Sequence, residues 1–144
     1  MIKKEITYTD YDGISRTETF YFNLNKAELL EMELSSPGGL QEMVERIVKA
    51  KDQPTIIRLI KELLINCQGE KSLDGKVLLK TPEVHQRFQG SPAYEIMFMM
   101  LATDDEKSAE FINALIPADL QEAVKKEAEA KRAAELAAST VTAN

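Results

Sequence analysis

Over the first 24 residues the chain alternates between apolar and polar positions. Ile2, Ile6 and Tyr8 stand among polar neighbours, as do Ile14, Phe20, Phe22 and Leu24, with Asp12-Gly13 between the two runs. Period-two alternation on both sides of a glycine turn predicts a β-hairpin with one apolar face. Register then selects the turn. A two-residue Asp12-Gly13 turn pairs Ile6 with Thr19 and sends Phe20 to the wrong side. A three-residue loop, Tyr11-Asp12-Gly13 with Gly13 left-handed, sets Ile6 opposite Glu18 and Ile2 opposite Phe22. Only the longer loop keeps the apolar residues together, because a one-residue slip turns every side chain over. An isolated hairpin is marginal in water, so this face needs helices or a second chain to cover it.

Beyond Leu24 the apolar period becomes helical. Asn25 with Glu28 three residues on reads as an N-cap and its box partner, opening AELLEMEL, which SSPGG (35–39) breaks. Leu40, Met43, Val44, Ile47 and Val48 mark one face of the next helix. Asp52 and Pro54 start a third, whose broad stripe from Ile56 to Cys67 predicts a central place in the core. The GEKSLDGKVLLK stretch reads as a loop with a short strand at Val77–Leu79. Thr81 and Ser91 each precede a proline and so predict two further helix starts. Thr103 or Asp104 caps a helix that buries Phe111, Ile112, Leu115 and Ile116 and stops at Pro117.

The expected fold is α+β and mostly α-helical. An N-terminal hairpin, the only substantial β-structure, leads into a compact bundle of about six short helices and a projecting C-terminal helix. Residues 1–117 form the hairpin-plus-helical domain, and 118–144 an Ala/Glu/Lys-rich tail. That tail has strong helix propensity and Glu-to-Lys pairs at Glu122–Lys126 and Glu127–Lys131. Leu120, Val124 and Leu136 are nearly its only large apolar groups, and propensity without packing leaves a helix marginal. The tail is therefore expected to project, to fray after Leu136 and to be disordered over 139–144. Deleting 123–144 should barely change the melting of the core. If the tail touches a partner, Leu120, Val124 and Leu136 are the side chains to do it.

The stretch AYEIMFMML (93–101) is the most apolar in the chain and holds three of its six methionines. An apolar helix in mid-sequence is more often core than surface, yet methionine recurs on surfaces that adapt to several partners. Spacing assigns Tyr94, Met97 and Leu101 to the core, with Phe98 beside them. Ile96, Met99 and Met100 lie further round, exposed or covered by a second chain, and are the candidate partner-binding residues of this helix.

Composition narrows the function by exclusion. The net charge of -6 repels the phosphate backbone of nucleic acid, and no Lys/Arg block offsets it. The longest apolar stretch, IMFMMLA, falls far short of the roughly 20 residues of a membrane span. MIKKEITY has no apolar run after its lysines and so is not a secretory signal. The lone Cys67 cannot form an internal disulfide, which fits a reducing intracellular compartment. His85 is the only histidine, and with Cys67 it makes neither a zinc spacing nor a convincing nucleophile pair. The Asp-Gly segments fail the calcium-loop pattern, and Gly75-Lys76-Val77 fails the phosphate-loop pattern. No catalytic, cofactor or metal constellation is expected. The chain reads as a binding protein rather than an enzyme.

Several blocks then line up in order: FYFNLNKAEL (20–29), MELSSPGGL (32–40), IVKAKD (47–52), GEKSLDGK (69–76), AYEIMFMMLATD (93–104) and FINALIPADL (111–120). Together they resemble the tail assembly chaperones of long-tailed, siphovirus-type bacteriophages of Gram-positive hosts, over about residues 5 to 122. The tail after Glu122 carries no matching motif. The resemblance implies a non-enzymatic protein, without cofactor or metal, that binds the tape measure protein and keeps it soluble until tail tube subunits assemble around it. It also implies action in the host cytoplasm, absence from the mature virion, and in many members a longer frameshifted form that recruits tail tube protein. A homo-oligomer is expected, built through the hairpin or the Met-rich helix. The alternative is a small helical structural or adaptor protein of the particle, or a binder of a host factor.

Overall fold

The computed structural model describes residues 1–49 and 53–142. Its elements are β1 (Ile2–Thr9), β2 (Ser15–Phe22), α1 (Lys26–Ser35), α2 (Gly39–Lys49), α3 (Gln53–Cys67), β3 (Gln68–Lys71), β4 (Leu78–Leu79), α4 (Pro82–Gln89), α5 (Pro92–Thr103), α6 (Asp105–Leu115) and α7 (Ala118–Thr142). Helix accounts for 65% of the structure, so the class is α+β and mostly α. Asp52, expected to open α3, lies outside the described residues.

The hairpin has the register that its apolar pattern demands. Ile2 faces Phe22 and Ile6 faces Glu18 across β1 and β2. Gly13 takes φ 80°, the left-handed value that a three-residue loop requires. Asp10 locks the loop: its carboxylate accepts the Asp12 and Ile14 N–H groups, both at 2.9 Å, and pairs with Arg16 at 2.5 Å. The Arg16 hydrogen bond, followed by that from Ile14, holds the Asp10 carboxyl below its usual range. The opposite face is polar, with Lys3, Glu5, Thr7, Thr17 and Thr19, as suits an antiparallel sheet covered on one side.

Two short strands extend the hairpin. Strand β3 pairs antiparallel with β2 at Tyr21↔Gly69 and Phe22↔Gln68, and β4 pairs with β3, giving one sheet in the order β1-β2-β3-β4. Gln68-Gly69-Glu70-Lys71 has no apolar alternation, so its strand comes from tertiary pairing and not from its own pattern. Gly69 is required where the strands crowd, since a Cβ there would sit 2.6 Å from Leu78 Cγ. Val77 falls just outside β4.

Local chemistry sets the helix ends. Asn25 and Glu28 form the reciprocal capping box, and Thr81, Ser91 and Asp104 cap α4, α5 and α6. The α1–α2 junction is less ordinary. Gly38 and Gly39 both adopt positive φ, at 77° and 80°. Their turn lets the buried Glu33 carboxylate accept the Leu40 N–H at 2.6 Å, at the start of α2. A Cβ on Gly39 would lie 2.5 Å from the same carboxylate oxygen. The SSPGG break is thus a seat for an anionic helix cap supplied by the preceding helix.

Phe22, Leu29, Leu40, Leu64, Ile112, Ile116 and Val124 are the largest fully buried side chains besides Cys67 and come from the sheet and most of the helices. The Phe22 ring centroid lies 5.7 Å from Phe88 and 5.6 Å from Phe111, tying β2 to α4 and α6. The C-terminal helix does not leave the body at Ala118, as its composition suggests. α7 packs on α1 and α2, burying Val124 and Ala128 completely and Leu120 in part. Small alanines let the helix approach closely enough for one valine to anchor it. Only from Glu129 onward is every described side chain exposed, and the helix continues to Thr142. Ala143 and Asn144 lie outside the described residues.

Candidate interaction surface

Ser91 accepts the Tyr94 N–H and Pro92 opens the first turn, so α5 starts at a fixed rotation relative to the body. From there every fourth residue, Ala93, Met97 and Leu101, is buried. Tyr94, Phe98 and Met100 flank that row half-buried against the core. The remaining apolar side chains, Ile96 and Met99, stand three apart on the outer face, 45% and 51% exposed. Glu95 and Thr103 share that face. The helix is held by α3, α4, α6 and β1, so the outer face is displayed on a rigid support.

An aromatic chain runs beside it. Tyr8, Phe20, Phe88, Tyr94 and Phe98 follow one another with centroid separations of 6.4, 5.6, 5.6 and 5.8 Å. All but Phe88 are half-buried, so the rings form a semi-exposed apolar track from the hairpin to α5. Tyr8 donates to Glu18 at 2.8 Å, and that hydrogen bond is the chief reason its phenol titrates above the usual value. Burial does the same for Tyr94. Both phenols stay neutral, and the track carries no charge of its own.

Of the six sequence-predicted contact residues, the structure brings Ile96, Met99 and Met100 together on α5, the first two exposed and Met100 half-buried. It separates the other three along α7, which packs on α1 and α2. Leu120 is half-buried, Val124 is sealed in the chain's own core at 1% exposure, and Leu136 is 70% exposed. Val124 has no surface left to offer. The aromatic track escapes sequence reasoning because its members come from four elements. The signal available was that Tyr8 and Phe20 share the hairpin's apolar face and Tyr94 and Phe98 the inner side of α5, which does not say that the rings of the two elements meet.

The chemically versatile residues sit elsewhere. Cys67 is buried, bonds to the Leu64 carbonyl at 3.4 Å, and burial pushes its thiol far above the ordinary value. His85 Nε2 meets the Gln68 carbonyl at 3.0 Å. Among the described residues no group of three or more His, Cys, Asp or Glu is placed to hold a metal ion. No helix among them is long and apolar enough to cross a membrane.

The sequence profile of a family described as phage tail assembly chaperone matches residues 1–143. The chain belongs to that family. The match runs through α7, well beyond Glu122, where the blocks read from the sequence end. No curated protein and no solved structure matches the chain.

Proposed function

We propose that this chaperone binds the tape measure protein through the outer face of α5 and the adjoining aromatic track. It keeps that long rod soluble until tail tube subunits assemble around it. The observation that carries this reading is the exposed Ile96–Met99 pair on a helix whose opposite side is locked into the core. A rod that displays apolar stripes aggregates unless covered. A flexible thioether beside flat rings covers stripes of varied shape without demanding one sequence. The net charge of -6 keeps the covered complexes apart. Binding of this kind needs no catalytic group, so the role is non-enzymatic. It belongs in the host cytoplasm before the virion is complete. A longer frameshifted form would add the contact to tail tube protein.

Co-expression tests the proposal. With the chaperone present, the tape measure protein of the same phage should move from the pellet to the soluble fraction and co-purify. A tape measure protein that stays insoluble, or is soluble without the chaperone, would sink it.

A further inference from the structure

Strand β2 uses only part of its outer edge. β3 pairs with it at Tyr21 and Phe22, and among the described residues no strand pairs with that side from Ser15 to Phe20. Hydrogen-bonded pairs alternate along an antiparallel ladder. The Asp10 N–H donates to the Ile14 carbonyl on the β1 side, and the Asn23 N–H donates to the Cys67 carbonyl on the β3 side. Even-numbered residues of β2 therefore turn their backbone groups toward β1, and odd-numbered ones turn theirs away. The N–H and C=O groups of Ser15, Thr17 and Thr19 line a free edge.

The sequence along that edge, Ile14-Ser15-Arg16-Thr17-Glu18-Thr19-Phe20, is complementary to itself about Thr17. We propose that two copies of the chain join β2 to β2, antiparallel, across a two-fold axis at Thr17. In this register Thr17 meets Thr17 of the second copy and Ser15 meets Thr19, so every backbone pair uses outward-pointing groups. On the helix-covered face, Arg16 meets Glu18 and Ile14 meets Phe20. Opposite charges directly across a pair are favourable, and this register supplies them twice by symmetry.

The side chains have capacity for it. Arg16 uses Nε on Asp10 and is 48% exposed, leaving its terminal nitrogens to donate. Glu18 accepts from Tyr8 through Oε1, leaving Oε2. Where β3 departs from β2 a groove of about 480 Å³ opens, lined by Phe20, Gly69, Lys71 and Phe88 among others. Ile14 of the second copy would enter it, which accounts for an isoleucine 51% exposed beside the tip of a single copy. The edge of β1 offers no such match, since Lys3 and Lys4 blunt it. The seam covers Phe20 and Phe88 at the hairpin end of the aromatic track and leaves the outer face of α5 free, so substitutions at Ile96 and Met99 test client binding while those at Arg16 and Glu18 test pairing.

Charge reversal with mixing tests the seam. By light scattering at tens of micromolar, the wild-type chain should have the mass of two chains rather than 16.2 kDa. Arg16→Glu alone sets glutamates opposite one another, and Glu18→Arg alone sets arginines opposite one another. Each should weaken association by about tenfold or more, with helix content by circular dichroism unchanged. An equimolar mixture of the two variants should regain the two-chain mass, because each supplies what the other repels. Thr17→Pro, which removes the central outward N–H, should give single chains and guards against a misfolded charge variant. A wild-type chain of single mass, a charge variant as well associated as wild type, or a mixture that does not re-associate overturns the seam. A single mass would leave the edge to an extended segment of another protein.

Discussion

Removing the Glu33 carboxylate should cost more than removing any other acidic side chain of α1. Glu33 is buried, with 7% of its surface exposed, and its Oε2 takes the Leu40 N–H at 2.6 Å. Glu33→Ala deletes a hydrogen bond to a charged group, worth about 1.5–3 kcal/mol, and leaves the Leu40 N–H buried without its acceptor. It also removes an anion from the positive end of α2, worth up to about 1–2 kcal/mol in a partly buried setting. These terms overlap, so a total loss of about 2–4 kcal/mol is expected. For a chain of this size that lowers the melting temperature by roughly 6–15 °C. Glu33→Gln keeps an acceptor and loses only the charge, so about 1 kcal/mol should go. Glu31→Ala, on the exposed side of the same helix, should stay within about 0.5 kcal/mol of wild type. Urea unfolding followed at 222 nm reads all three. Equal midpoints for Glu33→Ala and Glu31→Ala would refute the capping role assigned to the Gly38-Gly39 turn.

Three further outcomes follow from the packing. A chain ending at Arg132 should melt within about a degree of the full chain, whereas one ending at Glu122 loses Val124 and Ala128 and should be destabilised by at least about 2 kcal/mol. The Asp10 carboxyl, lowered first by Arg16, should titrate below the ordinary 3.8 in a carbon-detected NMR titration. Because that value is depressed by folding, its support of the hairpin loop is present at neutral pH and lost as pH falls through the folded value; a midpoint at or above 3.8 would contradict the Asp10–Arg16 pair. Cys67 should resist a thiol reagent in the native chain and react at once in denaturant, and rapid native labelling would contradict its burial.

The elements that could be read from sequence are those whose information is local. Gly13 and the alternation around it determine a register to the residue, and Asn25, Thr81 and Ser91 announce helix starts because a cap acts within one turn. Helical spacing also separates Met97 and Leu101, which are buried, from Ile96 and Met99, which are exposed, but it misplaces Met100 and Tyr94, both of which are half-buried. What stayed hidden depends on distant partners. β3 is a strand because Tyr21 and Phe22 offer it an edge, although nothing in Gln68-Gly69-Glu70-Lys71 marks it as one. Nothing in AELLEMEL singles out Glu33; the Gly38-Gly39 turn brings the start of α2 onto it. Ala128 counts for little in any apolar pattern, yet its small size lets α7 close on the body and bury Val124. For that reason deletion from residue 123 is expected to be costly, contrary to what composition alone implies.

The client-binding claim is tested most directly by the double substitution Ile96→Glu and Met99→Glu, made in the full chain and co-expressed with the tape measure protein. Both side chains are about half exposed and lie away from the buried row of α5, so the fold and its melting should change by no more than about 1 kcal/mol. The soluble, co-purifying fraction of tape measure protein should fall at least severalfold relative to the wild-type chaperone. A variant that folds normally and still holds the tape measure protein in solution as well as wild type would show that α5 is not the surface that binds it.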